Sequence, residues 1–440
     1  MTNTDSTPLK RSSTGPLRLG IAGLGTVGIG VIRLLRAHPA LTATRTGRPL
    51  EVVAVSARNR QRDRGEDLSA FHWYDDPLAL AHAPDVDVVV ELMGGAGDPA
   101  YALVTRALEN GKAVVTANKA LIALHGNDLA RLSARKKVPL YFEAAVAGGV
   151  PAVKMVREGV AGDALTQLGG ILNGTCNYIL TQMEETGRDF ADVLKEAQDM
   201  GYAEADPSTD VDGWDTAHKL AILTGLAFQP IAFDSLDVQG IRAITTVDLH
   251  FAKELGYRIK LLGVAHRGQN NEVSASVQPC LVPLKSGLAQ VGNAFNALTT
   301  EGPFSGPLTI SGQGAGEGPT ATAVVADLID LGRGHHVPLW GAPPPEKPAI
   351  CQPIGQDESP FYLRLTVKEH AGLAKEISEL IGKHGIKTQH SAHHNSTGTS
   401  YITIVTHPTL TSTLRSVLPQ LKQHDAVQEA PLALKIENMP

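Results

Sequence analysis

Short apolar runs and turn residues alternate regularly through the first third of the chain. A run of about 4–8 apolar residues bounded by turn signals reads as a buried strand, and apolar positions at i, i+3, i+4 as an amphipathic helix. On that rule residues 17–22, 50–56, 86–91, 112–116 and 139–142 are strands. Residues 29–36, 98–110 and 120–136 carry helical spacing. Strict alternation of strand and helix implies an α/β fold with a doubly wound parallel sheet of the Rossmann type. Ligands of such sheets sit outside the carboxyl ends of the strands.

From about residue 147 the beat changes. Strand patterns at 167–172, 258–265, 272–277 and 307–311 surround helical patterns at 177–185, 190–200 and 215–225. That order suits an α+β domain for substrate binding and oligomerisation over 147–315. The apolar stretch 295–298 suits either a helix or an oligomer surface. A second glycine loop, Gly312-Gln313-Gly314-Ala315-Gly316, precedes an apolar helix at 321–331, which returns the chain to the first domain. The expected first domain is therefore 17–146 together with 316–340. Residues 341–358 hold Pro343-Pro344-Pro345 and few apolar residues, as a linker does. From 359 to 440 the pattern runs strand, helix, strand, strand, helix, strand, the ferredoxin-like βαββαβ order. Residues 1–16 are rich in Ser and Thr and read as a disordered tail.

Composition narrows the classes of function. The chain of 440 residues has a net charge of −6, which leaves no electrostatic footprint for nucleic acid or an anionic membrane. No window approaches the 18 or so unbroken apolar residues of a membrane span. Three cysteines, Cys176, Cys280 and Cys351, stand far apart and form neither a zinc pattern nor a disulfide framework. A reducing, cytoplasmic setting is the simplest reading.

Chemistry gathers in four places. Gly23-Leu24-Gly25-Thr26-Val27-Gly28 lies between the first strand and the first helix, where G-x-G-x-x-G means dinucleotide binding. Gly23 allows the tight turn, Gly25 the approach of a pyrophosphate, and Gly28 close helix–strand packing. The second strand runs into Ser56-Ala57-Arg58-Asn59-Arg60. No acid follows to take ribose hydroxyls, and Arg58 suits a 2′-phosphate, so NADP is favoured over NAD. The fourth strand ends in Thr116-Ala117-Asn118-Lys119, which puts Lys119 either towards the ligand crevice or on the surface. Residues 143–150 combine Glu143 with a small, glycine-rich backbone that suits a hard cation or a plain domain-crossing turn. The densest charge lies at 201–219, where Glu204, Asp206, Asp210, Asp212 and Asp215 crowd a Pro/Gly loop that opens a helix. Asp215 and Lys219 are four apart and share a helix face. They form either a solvated ion pair or, if buried, a carboxylate that orients an ammonium in a cleft. Several acids in one loop also suit the ammonium of an amino-acid substrate.

The chain resembles the homoserine dehydrogenases that carry a C-terminal ACT domain. The resemblance covers about 17–437 and rests on motifs in order: Gly23–Gly28, Thr116–Lys119, Glu143–Pro151, Leu172-Asn173-Gly174-Thr175, Gly201–Lys219, and Gly314-Ala315-Gly316 with Pro319-Thr320-Ala321. It implies NAD(P)H-dependent interconversion of L-aspartate 4-semialdehyde and L-homoserine, on the route to threonine, methionine and isoleucine. It implies Lys219 as proton donor, Asp215 as the carboxylate that contacts substrate and orients that lysine, and Lys119 near cofactor and substrate. Glu204, Asp215 and Asp210 would bind substrate. Gly23, Gly25, Thr26, Val27, Gly28, Arg58, Lys119 and Gly316 would bind cofactor. Glu143 with the carbonyls of Val146, Gly148 and Val150 matches a monovalent cation site, usually sodium. A homodimer or homotetramer and a threonine effector at the ACT domain are further implications. Two departures stand out. Cys176 replaces an expected threonine and raises the thioester chemistry of aspartate-semialdehyde dehydrogenase. No histidine partner is evident, so Cys176 reads as a small buried residue. The first βα loop of the tail reads Glu369-His370-Ala371-Gly372, where ACT domains usually carry Asp-x-x-Gly.

Overall fold

The computed structural model describes residues 15–352, 358–368, 370–396 and 398–439. The expected disordered tail lies almost wholly outside the described residues, as does Glu369. The chain forms two compact units. One holds the residues up to Ala145 together with Gly316–Pro343, and the other holds Val146–Ala315 with the residues from Pro344 onward.

The first unit is built on β1 (Leu17–Ala22), α1 (Thr26–Ala37), α2 (Pro39–Thr46), β2 (Leu50–Ser56), β3 (His72–Tyr74), β4 (Val88–Glu91), α3 (Ala100–Glu109), β5 (Ala113–Thr116), α4 (Lys119–Lys136) and β6 (Leu140–Tyr141). Its six strands are all parallel, in the order β3-β2-β1-β4-β5-β6. This is the Rossmann order, and the order in which strands are added reverses between β1 and β4, the switch point at which such sheets bind a dinucleotide. Leu19, Ile21, Val55, Val88, Val90 and Val115 fill the core because parallel strands are covered on both faces. The short β3 carries no apolar run, so it left no sequence signal.

The second unit begins with α5 (Ala152–Lys154), which runs on into a π-helical turn (Met155–Gly159). Then follow β7 (Gln167–Ile171), α6 (Gly174–Thr186), α7 (Phe190–Asp199), α8 (Ser208–Val211), α9 (Trp214–Ala227), β8 (Asp237–Val238), α10 (Thr246–Glu254), β9 (Tyr257–Arg267), β10 (Val273–Pro283), β11 (Phe295–Gly302) and β12 (Gly306–Gln313). The stretch at 295–298 is a strand, not a helix: β11 is hydrogen-bonded antiparallel to β7 and β12, and only strand geometry pairs on both sides. Helix α10 lacked a clear apolar stripe but has a capping box, in which Asp248 and Thr245 satisfy each other's backbone N–H. Helix α11 (Glu317–Gly332) then rejoins the first unit.

The remaining elements are β13 (Glu358–Ser359), β14 (Phe361–Val367), α12 (Leu373–Lys383), β15 (Thr388–Ser396), β16 (Thr399–Thr406), β17 (Thr409–Leu410), α13 (Thr411–Lys422) and β18 (Leu432–Ile436). From β14 to β18 they keep the βαββαβ order, apart from the short β17, which pairs with β13. Ile377, Ile381, Leu414 and Val417 from α12 and α13 close its core over Leu363, Leu365, Ile402 and Ile404. This sheet is not separate. Strand β18 pairs in parallel with β10, Cys280 beside Lys435 and Leu281 beside Ile436. The result is one sheet in the order β12-β11-β7-β9-β10-β18-β14-β16-β15. Residues 349–352, in the stretch expected as a linker, are also tied down. Ala349 exchanges hydrogen bonds with Pro230 and Ala232, and the Gln352 N–H reaches Val273. Among the described residues no helix is long and apolar enough to cross a membrane.

Candidate active site

The glycine turn follows β1 and opens α1 as the motif requires. Gly23 has φ +101°, a left-handed conformation, and a Cβ there would meet the Leu92 carbonyl at 2.5 Å. A Cβ on Gly28 would lie 2.1 Å from the Gly23 carbonyl oxygen. Gly25 caps α1 with no side-chain hydrogen bond, so the first N–H groups of the helix are available to a phosphate. Thr26 is exposed and Val27 half-buried beside them, while Gly316 caps α11 with φ +114°.

After β2 the backbone turn is basic and organised. Arg58 is exposed. Arg60 and Arg64 hold their guanidinium groups 5.8 and 5.7 Å from the centre of the Trp73 ring. Arg64 also donates to the carbonyls of Leu24 (3.0 Å) and Asn59 (2.7 Å), which ties this turn to the glycine turn. Sequence reasoning missed Arg64, because the bond that ties it to the glycine turn is to the backbone of Leu24, far away in sequence.

Glu91, at the end of β4, is a second feature that patterning did not show. Its carboxylate is fully buried and accepts from the N–H groups of Met93 (2.8 Å) and Gly94 (3.3 Å) and from the Thr116 hydroxyl (2.6 Å). Thr116 in turn accepts from the Asn118 N–H at 3.0 Å. Asn118 donates to the Gly95 carbonyl at 2.7 Å and caps α4 by accepting from Leu121 N–H at 3.1 Å. This closed ring fixes the loop after β4 and the start of α4, where half-buried Lys119 is the first helical residue.

In the second unit the acidic loop folds over the start of α6 and α9. Helix α9 is apolar around most of its circumference and therefore buried. Asp215 and Lys219 are only 3% and 8% exposed, so their pairing is not a solvated one. Lys219 Nζ donates to Asp215 Oδ2 at 2.7 Å and to the Leu172 carbonyl at 2.7 Å. Asn173 donates from Nδ2 to Asp215 Oδ2 (2.8 Å) and to Asp210 Oδ1 (2.7 Å), and its Oδ1 caps α6 by accepting from the Cys176 N–H. Asn173 thus joins two of the expected site residues, Asp210 and Asp215. Its only sequence signal was an asparagine before a helix. Lys260, buried on β9, donates to Asn177 Oδ1 and the Val291 carbonyl, each at 2.7 Å, and pins α6 to the sheet. Burial lowers its pKa to about 8. Glu204 is exposed on the same loop, and its carbonyl accepts from Gln198 at 3.0 Å.

Of the expected cation ligands, Glu143 belongs to the first unit and Val146, Gly148 and Val150 to the second. Glu143 is buried, and its N–H donates to Asp327 Oδ2 at 2.8 Å. Ala147 and Gly148 are both left-handed, so the chain turns sharply there.

Cys176 lies under the acidic loop that holds Asp210. It is fully buried and its thiol donates to the Asp210 carbonyl at 3.2 Å. Burial, and then the Asp210 carboxylate, push the thiol well above its ordinary range. A neutral, enclosed thiol is no nucleophile. Alkylation of the native protein with iodoacetamide is expected to leave Cys176 unmodified by peptide mass mapping. Rapid modification with loss of activity would overturn this assignment.

Two family models match the chain: "Homoserine dehydrogenase, NAD binding domain" over residues 23–143 and "Homoserine dehydrogenase" over residues 151–329. A homoserine dehydrogenase of Pseudomonas aeruginosa is 40% identical over 439 residues, 96% of this chain and 99% of that one. The chain belongs to the homoserine dehydrogenase family. A crystal structure of the homoserine dehydrogenase from Thiobacillus denitrificans matches with a TM-score of 0.90 and 37% identity, over 97% of this chain and 99% of that one. A hyperthermophilic archaeal homoserine dehydrogenase in complex with NADPH matches with a TM-score of 0.62 and 25% identity, over 72% of this chain and 97% of that one. As a homoserine dehydrogenase the chain is an NAD(P)-dependent oxidoreductase, and its glycine turn belongs to the nicotinamide cofactor-binding domain.

Proposed function

We propose that this homoserine dehydrogenase reduces L-aspartate 4-semialdehyde reversibly to L-homoserine with Lys219 as the proton donor. A bound NAD(P)H would supply the hydride for the aldehyde carbon, and Lys219 delivers the proton to the aldehyde oxygen. The observation that carries the assignment is the hydrogen bonding of Lys219. An ammonium has three N–H groups. The Leu172 carbonyl and the Asp215 carboxylate hold two of them, which leaves one for a substrate oxygen. A fixed ammonium in a buried site stabilises negative charge far better than it would in water. Asp215 orients the lysine, and Asn173 holds Asp215 and Asp210 in turn. Asp210 and Glu204, with Asp215, supply negative charge for the α-ammonium of the substrate. Lys119 acts beside the nicotinamide.

The cofactor in this proposal is NADP. Arg58, with Arg60 and Arg64 held at the Trp73 ring, offers guanidinium groups to a 2′-phosphate, and no acid closes β2. The NADPH-bound archaeal relative supports the same choice. A monovalent cation such as sodium also belongs to the proposal. The carbonyls of Val146, Gly148 and Val150 and the carboxylate of Glu143 are the hard oxygen donors such an ion takes. It would brace the turn at Ala147 and Gly148 and take no part in proton transfer.

The βαββαβ segment is proposed as an ACT domain that binds threonine. A cavity of about 490 Å³ there is lined by Lys368, His370, Glu376, His424 and Asp425, charges of both signs that suit a zwitterionic amino acid. A homodimer or homotetramer is also proposed. Strand β12 is a free edge of the long sheet, and Phe304 (92%), Phe295 (43%) and Leu308 (39%) are exposed on that hairpin. A cytoplasmic setting accords with three buried thiols outside any disulfide.

Purified protein is expected to reduce NADP⁺ in the presence of L-homoserine, with a higher kcat/KM than with NAD⁺. Absence of homoserine-dependent turnover with either cofactor would refute the reading.

A further inference from the structure

The sheet of the second unit carries α9 on one face. A Cβ on Gly263 of β9 would meet Leu172, Thr216 and Leu220, which marks that side as the one facing the site. The other face is closed by a small cluster: Ile171, Leu262, Val264, Cys280, Val282, Leu288, Ala289, Ala297 and, from beyond β18, Met439. Met439 is 3% exposed. A Cβ on Gly169 of β7 would lie 2.8 Å from its Sδ and 3.0 Å from its Cε. The segment that brings it there is anchored on both sides. The Glu437 N–H donates to the Leu281 carbonyl at 2.9 Å, and Gln167 of β7 donates to Glu437 Oε1 at 3.4 Å. Three residues after Gly169 the chain reaches Leu172, whose carbonyl accepts from Lys219 at 2.7 Å.

We propose that Met439 is a positioning residue: it wedges behind β7 and holds the Leu172 carbonyl against Lys219. The proposal rests on the reading of Lys219 as the proton donor. Between Gln167 and Ile171 on that face of β7, the glycine at 169 supplies no side chain, so the thioether fills the space. Close packing transmits displacement because interiors have few voids. If the wedge shrinks, β7 can settle towards the gap and carry the Leu172 carbonyl with it. The segment from β18 onward therefore serves the reaction directly, apart from any effector that the βαββαβ unit binds.

Met439→Ala, Met439→Val and Met439→Leu are compared with Lys219→Ala in the full-length protein, below the unfolding temperature of each. Met439→Ala is expected to lower kcat by about tenfold, since small misplacements remote from the chemistry are costly. NADP⁺ stoichiometry per chain and the homoserine KM stay as in the wild type. The solvent deuterium isotope effect on kcat rises as proton transfer becomes slower. Met439→Leu restores kcat to within about twofold, because the volume is conserved. Met439→Val keeps more of the wedge and provides the test if the alanine variant does not fold. A folded Met439→Ala or Met439→Val with wild-type kcat and isotope effect overturns the proposal. If Lys219→Ala keeps its turnover, the reading of the site fails instead, whatever Met439 does.

Discussion

Lys219→Ala is expected to reduce kcat by about three orders of magnitude, the sum of a lost general acid and a lost charge beside the developing alkoxide. The affinity for NADP⁺ should change by less than about twofold, because an effect confined to the transition state leaves cofactor binding untouched. The reasoning is local. Lys219 is held by one carbonyl and one carboxylate, so it costs the enzyme little reorganisation to present its remaining N–H. Alanine leaves Asp215 buried with the Asn173 amide and without the ammonium. Stopped-flow reduction of NADP⁺ together with cofactor titration checks both halves. A variant with kcat within about tenfold of wild type would remove Lys219 from the proton-transfer role.

Asp248→Ala is expected to cost the protein about 3–5 kcal/mol, the usual effect of stripping one partner from a buried ion pair. Asp248 is fully buried, and Arg364 Nε donates to its Oδ1 at 2.6 Å. Tyr362 donates to the same oxygen at 3.3 Å, and burial pushes its hydroxyl pKa upward. The other carboxylate oxygen caps α10 through the Thr245 N–H (2.9 Å) and hydroxyl (2.8 Å). Truncation therefore strands a guanidinium and uncaps a helix. Urea unfolding is the measurement, and the double variant Asp248→Ala/Arg364→Met should recover part of the loss because no charge is left buried. A single-variant loss below about 1 kcal/mol would mean the pair is solvated and dispensable.

The parts of this protein legible in its sequence are those with a short-range signature. Gly23, Gly25 and Gly28 between a strand and a helix announced the nucleotide-binding unit, and the i,i+4 spacing of Asp215 and Lys219 announced a shared helix face. The βαββαβ order of the tail was readable from its alternating periods. What stayed hidden depends on partners far along the chain. The parallel pairing of β18 with β10 joins residues about 150 positions apart and leaves no local trace. Glu91 and Asn173 are ordinary polar residues until burial and three converging hydrogen-bond partners each make them hubs. Strand β11 was missed: its apolar stretch at 295–298 reads as a helix or an oligomer surface, because a short apolar run alone does not separate helix from strand.

The structure of a ternary complex with NADP⁺ and L-homoserine measures the central claim most directly. The account predicts Lys219 Nζ at hydrogen-bond distance, about 2.7–3.2 Å, from the homoserine side-chain oxygen, with its bonds to Leu172 and Asp215 intact. A homoserine hydroxyl bound to another group, with Lys219 out of reach, would contradict it.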